Sequence, residues 1–107
     1  MNIEINIAQD FSETPGARYK TDGDFSGQEF FEIILEPKFI EVQNTENTLL
    51  INLDNTDGYA TSFLDEAFGG LARKYGRENI LKKIDFISNE EPYLIKEIKT
   101  YMDEKRN

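Results

Sequence analysis

The chain has 107 residues, a net charge of −9, no cysteine and no histidine. That length fits one domain. The absences exclude disulfides and thiol chemistry, and remove the usual general base and the commonest metal ligand. The start of the chain alternates polar and apolar residues without a basic run, and no stretch nears the ~18 apolar residues of a membrane span. These features lead us to expect a soluble cytoplasmic protein without membrane contact.

The charge is uneven. Residues 1–72 carry 14 acids against 3 bases, a net of −11, and residues 73–107 carry 7 acids against 9 bases, a net of +2. The acidic part repels nucleic acid and anionic membrane. The basic end is too mixed in sign to read as a nucleic-acid patch.

Residues 2–7 place Ile3, Ile5 and Ile7 on one side, the period of a half-buried strand. Residues 10–23 are rich in turn signals: Pro15, Gly16 and the pair Asp22-Gly23. Ala17 to Lys20 has the composition of a short edge strand within that loop. Ser26 and Glu29 have capping-box spacing, and Phe30, Phe31, Ile34 and Leu35 then form one apolar helix face. Pro37 lacks an amide donor and is expected to break or kink that helix. A further turn or two, with Phe39, Ile40 and Val42, follows it, then a polar connector over 43–47.

Residues 49–53 read as the most buried strand, closed by Asp57-Gly58. The clearest helix lies in 59–75. Phe63, Leu64, Ala67, Phe68, Leu71 and Tyr75 share one sector, and Ser62, Asp65, Glu66, Gly69 and Arg73 fall on the other side. Gly76 is a natural C-cap. Residues 84–87 form a third strand. Ser88 and Glu91 repeat the capping-box spacing before Pro92, and Leu94, Ile95, Ile98, Tyr101 and Met102 face inward from a last helix. Lys105 and Arg106 lie where the dipole of that helix favours cations. Strand and helix alternate, which predicts a single α/β domain over 1–107. Its small mixed sheet has three main strands, with Ala17 to Lys20 open to joining as a short edge strand, and about three covering helices.

Two segments carry a resemblance. One runs from Pro15 through Gly16, Arg18, Tyr19, Asp22 and Gly23 into Phe25, Ser26 and Phe30. The other runs from Asp57 through Thr61, Ser62, Phe63, Asp65, Glu66, Phe68 and Gly69 to Leu71. Together, and with 91–98, they resemble the STAS-like domain family of unknown function found in bacteria and phages. That family is related in fold to anti-sigma-factor antagonists. The resemblance implies a small sheet with helices packed on it, and a regulatory role in binding a protein partner such as a histidine-kinase-type ATPase or kinase. In the antagonists a Ser or Thr at the start of the helix after the central strand is phosphorylated. Thr61 and Ser62 stand at the corresponding corner, inexactly by about one position.

Each candidate has a second reading. Ser62 with Asp65 three residues on is also a plain helix cap. A helix N-terminus favours a phosphate, whereas Asp57, Asp65 and Glu66 oppose it. The stripe of Ser62, Asp65, Glu66, Gly69 and Arg73 is the expected partner contact, with Gly69 allowing close approach of another backbone. Arg18, Tyr19, Asp22 and Gly23, with Gly16, form either a binding loop beside the corner or a structural loop in which Arg18 pairs with an acid. No cofactor or metal is expected: Asn52, Asp54, Thr56 and Asp57 fail the calcium-loop pattern. The rival readings are an acidic mimic of nucleic acid and an enzyme using only Asp57 with Asp65 or Glu66. The expectation is a non-catalytic interaction module.

Overall fold

The computed structural model describes residues 2–103. Three strands form one sheet in the order β1 (Asn2–Asn6), β2 (Thr48–Asn52) and β3 (Ile84–Ile87), and both pairs are parallel. Ile3, Leu49 and Ile84 lie in one row, and Ile5, Ile51 and Phe86 in the next. This face packs on the helices: Ile5, Leu49, Ile51 and Ile84 are buried. The opposite face presents Asn2, Glu4, Asn6, Thr48, Leu50, Asn52, Asp85 and Ile87, none of them fully buried. Right-handed crossovers between sequential parallel strands put both connections on one face, which explains the two layers.

The sheet is wholly parallel rather than mixed, and the short edge strand for which Ala17 to Lys20 has the composition does not form among the described residues. Ala17 to Lys20 runs instead against the start of a helix. The carbonyls of Ala17 and Arg18 accept from the amides of Gly27 and Gln28 at 2.8 and 2.9 Å. The first amides of a helix have no partner within it. Here the loop carbonyls supply one, so that backbone is not free to join the sheet.

Among the described residues five α-helices pack with this frame. The short α1 (Ile7–Asp10) follows β1 directly, and Asn6 caps it by accepting the Gln9 amide at 3.1 Å. Helix α2 comprises Gly27–Phe30, Phe31–Leu35 and Glu36–Gln43, which continue one another. Its cap is Ser26, whose hydroxyl accepts the Glu29 amide at 3.0 Å. Pro37 neither breaks nor ends it. The middle segment is a π-turn, in which the Glu36 amide bonds the Phe31 carbonyl. A wide turn relieves the clash between a proline ring and the turn before it, and tolerates the missing donor.

Helix α3 comprises Thr61–Leu64, the π-turn Asp65–Gly69 and Gly70–Tyr75. Gly76, at φ 93°, stops it, and α4 (Arg77–Leu81) leads into β3. Helix α5 (Tyr93–Asp103) buries Leu94, Ile98 and Met102. The Ser88 hydroxyl does not cap α5; it donates to the Glu91 carbonyl at 2.6 Å. Lys105 and Arg106 lie outside the described residues.

Phenylalanines fill the centre. Phe30 lies 5.7 Å from Phe63 and 6.1 Å from Phe68, ring centre to ring centre, and Phe68 meets Phe86 of the sheet at 5.4 Å. Each such buried ring contributes about 1.5–3 kcal/mol.

Candidate functional site

Loop 11–25 and the corner before α3 meet on one side of the molecule. Phe11 anchors the loop, with its ring against Phe25, Phe30 and Phe63. Gly16 donates its amide to the Phe25 carbonyl, and a side chain at Gly16 would land 2.3 Å from the Asp24 carbonyl oxygen. Tyr19 and Asp22 form a tight turn: the Tyr19 amide bonds the Asp22 carboxylate, and the Asp22 amide bonds the Tyr19 carbonyl. Gly23 is exposed beyond it. The loop presents Tyr19 and Phe25, 43% and 40% exposed. Phe25 has φ 54°, a sparsely populated conformation for a bulky residue that persists only when its surroundings hold it.

Arg18 ties this loop to α3. Its Nη1 lies 2.7 Å from Asp65 Oδ2 and 3.5 Å from Glu66 Oε1. Asp65 is only 3% exposed. Its other oxygen takes Arg73 Nη1 at 3.2 Å, and Arg73 Nη2 donates to the Asp65 carbonyl. An isolated buried carboxylate is strongly disfavoured, and two guanidinium groups relieve that penalty here.

Asp65 and Gly69 therefore do not lie on an exposed stripe. Gly69 is buried beneath the ion pair. A β-carbon there would sit 2.7 Å from Asp65 Oδ1, 2.8 Å from Arg73 Nη1 and 3.2 Å from the Tyr101 carbonyl of α5. The missing side chain lets Arg73 reach Asp65 and lets α5 approach. The close backbone approach expected at Gly69 exists, but the approaching backbone belongs to this chain. Arg73 is held by Asp65, and Ser62 and Glu66 are half-buried.

At the corner, Tyr59 donates its hydroxyl to the Leu53 carbonyl at 2.9 Å, and burial pushes that hydroxyl far above its ordinary pKa. Thr61 is the first residue of α3 and is exposed. The cap is Ala60, so Ser62 does not cap the helix as its spacing suggested; it lies inside the first turn. The structural reading of the loop, in which Arg18 pairs with an acid, holds: Asp65 is that acid, a partner 47 positions away that the sequence does not single out.

Other acids at this end of the sheet hold loops. Asp54 Oδ1 accepts the Glu90 amide at 3.0 Å, and Glu90 Oε1 accepts the Asn55 amide at 2.7 Å. Asp57 is exposed, and its amide bonds the Glu13 carbonyl. Among the described residues no three carboxylates come together in a metal-binding group, and no helix is long and apolar enough to cross a membrane.

The profile of a family described as a STAS-like domain of unknown function matches residues 26–94. The chain belongs to this family. The matched span takes in α2, the corner at Thr61 and Ser62, and all of α3; the loop at Arg18 lies outside it. No curated protein and no solved structure matches the chain.

Proposed function

We propose that this chain is a non-catalytic regulatory module that docks a protein partner on the face made by loop 16–25 and the corner 60–66. The observation that carries this reading is the Arg18–Asp65 bridge. It fixes an exposed loop, with two half-exposed aromatic rings, against the corner where the resemblance places a phosphoacceptor. Tyrosine and other aromatics that are exposed on a rigid frame are frequent anchors of interfaces. A histidine-kinase-type ATPase or kinase is the partner that the family resemblance implies.

A phosphate switch fits the same corner. Thr61 is the more reachable hydroxyl, and it begins a helix, where added negative charge is favoured. Asp65 lies one turn after Thr61 and Glu66 one turn after Ser62, with Arg18 bonded to both acids, so a phosphate at this corner would be repelled by the acids and attracted by the arginine. Incubation of the protein with its cognate kinase and ATP should add about 80 Da at Thr61 or Ser62 by peptide mass spectrometry. An unmodified corner would remove the switch and leave the docking reading standing.

The mimic of nucleic acid is less well supported. Asp65, Glu66, Glu32 and Glu36 pair with Arg18, Arg73, Lys20 and Lys74, so part of the N-terminal negative charge is neutralised within the fold. The reading of Asp57 with Asp65 as acid-base partners has a similar weakness, since both Asp65 oxygens are held by guanidinium groups.

A further inference from the structure

The outer edge of β1 carries no strand among the described residues. Its ladder groups can be assigned. Leu49 and Leu53 donate their amides to Lys83 and Ile87, so Leu50 and Asn52 face β1. The parallel register then turns Ile3 and Ile5 toward β2 and turns Asn2, Glu4 and Asn6 outward. Asp10 accepts the Asn6 amide at 2.8 Å, which confirms that this amide points out and closes the far end of the edge. The N–H and C=O of Glu4 are left facing outward. Beside them is a groove of about 380 Å³, lined by Glu4, Ile5, Asp10, Ile33, Pro37 and Lys38 among others. Ile33 is 58% exposed on its wall.

An unpaired edge demands a backbone to pair with, and the groove beside it takes apolar side chains. Charge decides which backbone. Glu4 stands near the middle of one outer strand and Asp85 within the other, both exposed on the uncovered face of the sheet. Joining two copies edge to edge would set acid beside acid, whichever edges met. We propose that the edge of β1 takes an extended segment of a partner protein, alternately basic and apolar, as a fourth strand. Its apolar side chains fill the groove against Ile33 and Pro37, and its cations lie beside Glu4 on the open face. This surface is distinct from the face at Arg18.

The test titrates the isotope-labelled full chain with acetyl-Lys-Val-Lys-Val-Lys-Val-amide, followed by NMR. A second titration uses a peptide of the same composition with the lysines and valines in separate blocks. Saturable shifts confined to Asn2–Asn6 and the neighbouring turns of α2 are expected with the alternating peptide. Glu4→Lys and Ile33→Asp, both at exposed positions, should each weaken that binding by at least about tenfold. An equal response to the block peptide would reduce the effect to charge attraction and overturn the proposal. So would unchanged affinity in Glu4→Lys. Shifts at the same residues that depend on protein concentration without peptide, with a dimer by sedimentation, would assign the edge to a second copy instead.

Discussion

Arg18 and Asp65 lie 47 positions apart in sequence and 2.7 Å apart in space, and Asp65 is buried between Arg18 and Arg73. Removal of the carboxylate takes the shared partner from both guanidinium groups and leaves Arg18 with Glu66 and Arg73 with the main-chain carbonyl of residue 65. Asp65→Ala should therefore cost about 1.5–3 kcal/mol, the range for losing hydrogen bonds between charged groups. Urea denaturation measures it. A loss below ~1 kcal/mol, the value of an exposed pair, would show that the bridge contributes little.

Gly69 and Gly70 make a sharper test, because their helix propensities are the same and their surroundings differ. A β-carbon at Gly70 meets only the Phe31 ring at 4.0 Å, whereas one at Gly69 meets Asp65, Arg73 and the Tyr101 carbonyl within 3.2 Å. Gly70→Ala should gain about 0.5–1 kcal/mol from propensity. Gly69→Ala should lose about 1–3 kcal/mol despite the same gain. Thermal melts of the two variants should move in opposite directions.

Glu36 gives a pH signature. Lys74 Nζ lies 2.6 Å from its carboxylate and Tyr75 donates to the same oxygen at 2.7 Å. The hydrogen bond from Lys74, then that from Tyr75, outweigh burial and hold the carboxyl below its ordinary value of 4.5. A depressed folded pKa stabilises the fold above the unfolded value and loses that contribution as pH falls through the folded value. Stability should therefore drop as pH is lowered below 4.5, and Glu36→Gln should drop less steeply over that window. Melting temperatures across the acid range, compared between the two proteins, check it. Parallel profiles would assign the acid sensitivity elsewhere.

Much of the fold is legible in the sequence. Ile3 and Ile5, the run 49–53 and the run 84–87 mark the three strands, and the apolar sector from Phe63 to Leu71 marks α3 correctly as a core helix. The misread residues share a physical cause. A helical wheel sees one packing partner, the sheet, and so assigns Asp65 and Gly69 to solvent. In the structure α5 and the Arg18 loop cover that other side, and the contact spans tens of residues. Pro37 distorts the helix without breaking it, for a related reason: propensity describes a regular α-helix, and the chain escapes the clash by widening the turn at Phe31–Leu35. The loop at 17–20 lost its strand because its carbonyls are bound to the first amides of α2.

The docking face is tested most directly by partner capture and affinity with two charge variants. Thr61→Arg alters the corner at an exposed position, and Lys99→Glu alters an exposed site on α5. The protein is immobilised in moderate salt, partners from the host are identified by mass spectrometry, and the recovered partner is then titrated against each purified variant. The account predicts that Thr61→Arg weakens that affinity by at least about tenfold while Lys99→Glu leaves it unchanged. Equal affinity for wild type and Thr61→Arg would contradict it.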